Sequence, residues 1–268
     1  MKIALLLPLA TKDLSSKFPE VLLERFPKGY GSSHGEYASK MCETENEIFI
    51  ITLDNSIVNI VTITKANASL IIIPSRTKKQ LMDYYKQECN YIISMLKTIQ
   101  PDIIHAHWTY IYALAAIRYN PNISLITCRD VPWEVLIYGK SIYYMPLFFL
   151  SHYIYRKAKW MTCVSEYVFN YVKKNINDTT EIFIIPNIIE LKYNFEAELK
   201  LKIKLPKKYF IVLANSNPLK NVKYTIELFQ LFIKTKNLND IYLLLVGPGL
   251  SVEGNIYKWA IKNNMTKN

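Results

Sequence analysis

Short apolar runs alternate along the chain with longer segments in which apolar residues return every three or four positions. The runs at residues 2–7, 47–53, 69–74, 101–107, 123–128, 160–165 and 181–186 are short and predominantly apolar, most of them rich in Ile, Leu, Val or Phe. Such runs predict strands buried on both faces, as in a parallel sheet. Helical periodicity fills the intervals at 35–42, 78–98, 110–120, 144–159 and 166–175. Alternation of this kind predicts a doubly wound α/β domain, Rossmann-like in architecture, over residues 1–190.

The pattern stops over residues 191–208, where charged residues dominate and no strand is legible. This stretch reads as a linker. A second α/β pattern then begins, with strands expected at 209–214 and 241–247 and helices at 221–236 and 253–264. Two strands and two helices do not cover a sheet on both faces. Residues 209–268 are therefore expected to form a partial second Rossmann-like domain, either cut short or leaning on the first.

Composition narrows the picture further. Half of the 268 residues are hydrophobic and 21% are charged, which is globular composition. The net charge is +11 and the sequence pI about 9.3, a balance that favours anionic partners or simply a soluble, lysine-rich surface. The basic residues do not interleave with aromatics in a stripe, which argues against a nucleic-acid binder. Cys42, Cys89, Cys128 and Cys163 form no CxxC pair and fit no zinc spacing; they read as reduced thiols of a cytoplasmic protein. The N-terminal run has one lysine, a short apolar core and no small-residue cleavage site, so it reads as a first strand rather than a signal peptide.

No segment reaches the ~20 apolar residues of a membrane span. Residues 141–160 come nearest, but Pro146 interrupts them and Arg156, Lys157 and Lys159 close them. They read as an ordinary core helix whose basic last turn suits the helix dipole. The other reading is a helix lying on an acidic membrane surface, at the inner face of the membrane.

Two of the four histidines, His105 and His107, stand at the end of a predicted strand and are followed at once by Trp108. Ligands of doubly wound sheets bind beyond the carboxyl ends of the strands. Residues two apart on a strand point the same way, so both imidazoles face one crevice. No third metal ligand lies nearby at a paired spacing, so no metal is expected. Packing against Trp108 and a polar role toward a ligand both remain open.

The segment PDIIHAHWTYIYALAAI resembles the corresponding strand and helix of GT-B glycosyltransferases of family 4. Further segments resemble that family in its own order: ITCRD, KAKWMTCVSEYVFNYV, IFIIPNIIE, FIVLANSNPLKNVKYTIELFQLF and IYLLLVGPG. The resemblance implies a GT-B fold, with two Rossmann-like domains facing a cleft. The first would hold the acceptor and the second the nucleotide-sugar donor.

Residue roles follow from the same resemblance. Lys220 matches a lysine that grips the donor diphosphate, a sound place for a cation beside a helix start. The arginine that should accompany it is absent. Asn215 stands in its place, able to donate hydrogen bonds but without charge or a bidentate fork. Gly247 and Gly249 match a glycine pair that approaches the donor; a plain strand-to-helix turn explains them nearly as well. Gly31, His34 and Gly35 fall in a loop that in the family nears both substrates, and His34 otherwise reads as an exposed polar residue. His107, Arg129 and Asp130 are the catalytic candidates. Arg129 stands where the family often has a histidine. It cannot act as a base but can hold an anion or a sugar hydroxyl. Asp130 can accept a hydroxyl proton; the pair otherwise reads as a surface ion pair. Ser165 reads as a helix N-cap, and Asn187 precedes the linker.

The implied activity is transfer of a sugar from a nucleotide-diphosphate sugar to a hydroxyl of a glycan or lipid-linked acceptor, in cell-surface polysaccharide synthesis. Neither a cofactor nor a metal is implied. The glutamate pair expected further along the donor domain does not occur before Asn268. The alternative is accordingly a truncated, inactive relative that binds acceptor or a partner chain without turnover.

Overall fold

The computed structural model describes residues 1–19, 33–77, 80, 82–139, 141–188 and 205–265. The chain divides into two compact units, Met1–Leu136 with Ser141–Leu191, and Ile137–Lys140 with Lys192–Asn268. Gly31 and residues 191–204 of the expected linker lie outside the described residues.

The first unit is built on an eight-stranded sheet in the order β3-β4-β2-β1-β5-β6-β7-β8. Its strands are β1 (Lys2–Leu6), β2 (Glu47–Asp54), β3 (Val61–Lys65), β4 (Ala68–Pro74), β5 (Ile103–His107), β6 (Ser124–Cys128), β7 (Trp160–Cys163) and β8 (Glu181–Ile184). All neighbours pair in parallel except β3, which runs antiparallel to β4. The helices are α1 (Ser33–Met41), α2 (Lys86–Ile99), α3 (Ile111–Tyr119), α4 (Pro132–Tyr138), α5 (Tyr144–Lys157) and α6 (Glu166–Lys173).

Strand alternation sorts the apolar residues into two cores. Ala4, Leu6, Ile51, Ile71, Ile104 and Ile126 join residues of α2, α3 and α5 on one face. Ile3, Leu5, Ile48, Ile50, Leu70 and Ile72 join Ala38 of α1 on the other. The chain winds outward from β1 through β2 to β4, then returns to β5 on the other side of β1 and continues to β8. The junction of β1 and β5 is thus the topological switch point, where such sheets open a crevice at their carboxyl edge.

Three features depart from the sequence reading. Strand β3 was not expected; its alternating VTITK pattern has threonines facing outward and only half-buried apolar positions. Helix α2 begins at Lys86 rather than residue 78, because Tyr84 and Tyr85 adopt left-handed backbone with φ of 50° and 60°. Helix α4, with Pro132 in its first turn, was missed between two predicted elements. The predicted cap is present: the Ser165 hydroxyl accepts from the Val168 amide at 3.3 Å. All four cysteines are free thiols.

The second unit pairs β9 (Tyr209–Leu213) with β10 (Tyr242–Val246) in parallel and adds α7 (Val222–Thr235) and α8 (Asn255–Lys262). Val222, Ile226, Leu250 and Ile256 form its small core. Phe210 and Ile211 remain largely exposed on the sheet. The fold class is the expected α/β, with a large doubly wound unit followed by a second, smaller α/β unit.

One ion-pair cluster fixes how the chain enters α2. Glu88 is buried, and its carboxylate accepts from the Arg76 backbone amide at 2.9 Å and from Arg76 Nε and Nη2 at 2.9 and 2.7 Å. Arg76 also donates to both Asp83 oxygens at 2.9 Å. Burial pushes the Glu88 carboxyl up, but the Arg76 hydrogen bonds outweigh it and hold the group below its ordinary range. Glu88→Ala should cost about 2 kcal/mol in urea unfolding at neutral pH. A carboxylate held low when folded contributes stability that is lost as pH falls through its folded value, so the gap between wild type and variant should close in acid.

Candidate functional site

The face of the sheet that carries Leu5 and Ile50 changes character across the switch point. Leu5 lies beside His105 in the β1–β5 register, and His107, Thr127 and Thr162 continue in register across β5, β6 and β7. A face that is aliphatic on one side of β1 is therefore polar on the other. Helix α1 covers this region and brings down Tyr37 and His34.

Buried polar groups need partners, and His105 has one on each side. Tyr37 Oη bonds its Nδ1 at 2.7 Å, and its Nε2 bonds Thr127 Oγ1 at 2.6 Å. Thr127 Oγ1 continues to Thr162 Oγ1 at 2.7 Å. One hydrogen-bonded chain thus runs from α1 across β5 and β6 to β7.

His107 differs. Its Nδ1 meets Arg129 Nε at 3.3 Å and Nη2 at 2.9 Å. A guanidinium only donates, so Nδ1 is the acceptor. The neutral ring must then carry its proton on Nε2, and that atom is buried without a partner among the described residues. Arg129 also donates through Nη1 to Asn187 Oδ1, which ties the end of β6 to the segment after β8. The rings of His105 and His107 lie 4.3 Å apart, and His34 approaches His107 at 5.2 Å and Trp108 at 5.9 Å.

The electrostatics follow from this crowding. Burial, reinforced by the Arg129 charge, lowers His34 and His105 to about 4. Burial, the neighbouring His105 and Arg129 hold His107 well below the ordinary histidine value. Arg129 is itself lowered to about 10 by burial, yet stays charged. All three imidazoles are neutral at pH 7, beside a fixed cation.

A cavity of about 70 Å³ opens at this place, lined by Tyr37, His105, His107, Thr127, Arg129, Thr162 and Asn187, with Ile185, Pro186 and Ile188 among its apolar walls. Its polar lining groups are hydroxyls, neutral imidazoles, an amide and one guanidinium, largely bonded to one another, and most of its open wall is apolar.

Of the first-unit candidates, the structure brings His107 and Arg129 together at the cavity. Asp130 does not line it. The Asp130 carboxylate is buried, accepts from Tyr110 Oη at 3.2 Å, and is pushed up to about 6 by that burial. It is no surface ion pair, and the two residues of the Arg-Asp dipeptide serve different places. His34 also departs from expectation: it is buried at the start of α1, with neither ring nitrogen partnered among the described residues. Gly35 lets α1 pack closely, since a Cβ there would meet Asp13 Cβ at 2.3 Å.

In the second unit, two loops meet at the carboxyl edge of the β9–β10 pair. Ser216 N donates to Pro248 O at 3.0 Å. Gly247 has φ of 139°, and a Cβ on it would fall 1.8 Å from the Ala214 carbonyl oxygen. The glycine is needed by the fold itself, whatever else it does. A side chain on Gly249 would likewise strike Ser216. The Asn215 carboxamide accepts from Asn217 N at 3.0 Å, and Asn217 in turn caps Leu219 N at 3.0 Å. Lys220 ends the short turn Pro218–Lys220 immediately before α7 and is exposed.

Tyr37, Thr127 and Thr162 were missed in the sequence. Tyr37 follows His34 by three residues on one helix face, and the two threonines are polar positions within largely apolar strands. Those were the available signals.

Residues 64–193 match the family model described as Glycosyltransferase Family 4. Over this span, just under half of the chain, the sequence is similar to family-4 glycosyltransferases. The span includes β5 to β8 and hence most of the cavity wall. A comparison with curated proteins finds no match. Solved structures of similar fold include a sucrose-phosphate synthase from Thermosynechococcus elongatus, 11% identical, with TM-score 0.59 over 92% of this chain and 70% of that one. A trehalose-6-phosphate structure from E. coli, bound with UDP-2-fluoro glucose, is 10% identical with TM-score 0.59 over 98% of this chain and 69% of that one. A UDP-GlcNAc 2-epimerase from Methanocaldococcus jannaschii is 14% identical with TM-score 0.50 over 99% and 69%. Identities this low establish the shared fold, and the family-4 match narrows it.

Histidines held low when folded bind fewer protons than the unfolded chain between about pH 6.5 and 4. Stability should therefore be full above pH 6.5 and fall as the pH drops through that window. Urea unfolding at stepped pH should show this decline. His34→Phe, which keeps a ring beside His107 and Trp108, should make the slope shallower by up to about one proton.

Proposed function

We propose that this protein transfers a sugar from a nucleotide-diphosphate sugar to a hydroxyl group of a glycan or lipid-linked acceptor, in the synthesis of cell-surface polysaccharide. The observation that carries the reading is the His107–Arg129–Asn187 cluster at the cavity, which lies in the segment that matches family 4. A neutral imidazole that offers Nε2–H, beside a fixed guanidinium, stabilises negative charge that grows on oxygen during transfer. The cluster supplies no strong base: the imidazoles are neutral but hard to protonate, and the Asp130 carboxylate is turned elsewhere. Catalysis would rest on positioning and charge stabilisation.

Lys220 is the proposed partner of the donor diphosphate, placed at the turn that opens α7. No metal is invoked, because lysine and backbone amides suffice to meet the leaving diphosphate in this reading. A neighbour of the same fold is bound with UDP-2-fluoro glucose, which supports a nucleotide sugar as donor. The net charge of +11 favours an anionic or lipid-linked acceptor at the cytoplasmic side of a membrane.

One observation favours the second reading, binding without turnover. Asn215 stands where an arginine would add charge, and its carboxamide is engaged in capping the turn below it. A thermal-shift screen against nucleoside diphosphates and their sugars separates the two. In the transferase reading at least one donor raises the melting temperature, and Lys220→Ala weakens that donor about tenfold. With the matching labelled donor and a membrane extract, His107→Phe should lower turnover about a hundredfold while the fold persists. Silence across all donors and no transfer would leave the second reading standing.

A further inference from the structure

Helix α5 is apolar on two faces, and only one of them is used inside the protein. Leu147, Leu150, Ser151, Ile154 and Tyr155 are buried against the first unit's core. Met145, Phe149 and Tyr153 follow one another at steps of four along the opposite side, and Ile142 leads into them three residues earlier. Residues four apart share a helix face, so Met145, Phe149 and Tyr153 form one stripe, and Ile142 adds an exposed apolar side chain in the turn just before α5. All four are exposed: Ile142 by 82%, Phe149 by 59%, and Met145 and Tyr153 by nearly half. Trp133 of α4, half exposed, flanks the stripe with its ring 5.9 Å from Phe148.

The stripe ends in charge. Arg156 continues it by three residues, and Lys157 and Lys159 follow, all exposed. Residues 141–165 contain no Asp or Glu. Helix α6 lies alongside, joined through Tyr171 Oη and His152 Nε2 at 3.3 Å, and it adds exposed Lys173 and Lys174. The acidic groups of these neighbouring elements are Glu134, which accepts from Tyr167, and Glu166 at the start of α6.

Exposed Trp, Tyr, Phe, Ile and Met beside a cluster of cations, on a helix lying flat on the body, suit the boundary between lipid headgroups and acyl chains. A protein partner large enough to cover the stripe would need acid to answer the lysines; an anionic bilayer presents acid and apolar depth together. We propose that the outward face of α5, from Met145 to Arg156, together with Ile142 of the turn before it, docks this protein on an anionic lipid surface. This departs from the sequence expectation of an ordinary core helix, because only half of α5 is core. It does not depend on the transfer reading, since neither the cavity residues nor Lys220 take part.

Co-sedimentation of the full chain with vesicles tests it. Phosphatidylcholine vesicles containing phosphatidylglycerol should carry the protein down, pure phosphatidylcholine vesicles should not, and high salt should release it. Replacing Arg156, Lys157 and Lys159 by Gln should weaken binding by about fivefold for each charge removed. Phe149→Glu should abolish binding, and Val58→Glu, on another exposed apolar residue, should not. Should Phe149→Glu fail to fold, Ile142→Glu, which lies before the helix, serves in its place. Equal binding to neutral vesicles, binding that survives the Glu substitutions, or a salt-resistant dimer in solution that Met145→Glu dissolves would each overturn the proposal.

Discussion

Two imidazoles on a buried sheet face impose the constraint around which the site is arranged. A buried ring without hydrogen bonds costs a folded protein several tenths to a few kcal/mol, so the surroundings must answer it. For His105 they do so completely, with Tyr37 from the helix above and Thr127 from the next strand. The chain of hydroxyls that results reaches Thr162 and holds three strands and α1 in one register. For His107 the answer is half given: Arg129 saturates one nitrogen, and the other is buried without a partner among the described residues.

Much of this was legible beforehand, for physical reasons. Continuous apolar runs report strands buried on both faces, and seven of the eight strands of the large sheet were read from them. The period-two rule placed both imidazoles on one side of β5 without any coordinates. What could not be read was which elements face that side. That Tyr37 stands over His105 depends on α1 crossing the sheet at the switch point, a tertiary fact. The start of α2 was misplaced because Tyr84 and Tyr85, ordinary helix residues by propensity, are held in left-handed backbone beside the Arg76 cluster. The burial of Asp130 against Tyr110, away from the cavity wall, was not legible in the sequence either. Beyond a strand end, neighbouring side chains diverge, one toward the cavity and the other into the body of the unit.

The same distinction separates the two units. In the first, polar residues are buried and their contacts decide a chemistry. In the second, the candidate residues sit on loops whose hydrogen bonds are mostly internal: Asn215 serves Asn217, and Asn217 serves Leu219. A family resemblance points to Lys220 as firmly as to His107, but only His107 is set within a closed geometry of its own unit.

The close approach of Gly247 to the Ala214 carbonyl has a bearing on how this protein varies over evolutionary time. The two loops at the edge of the small sheet are interlocked through their main chains, with Ser216 bonded to Pro248 and no room for a methyl group between them. Insertions and deletions there would unpick the contact and disturb both strands at once. The edge therefore accommodates exchanged side chains on a backbone of fixed length more readily than longer or shorter loops.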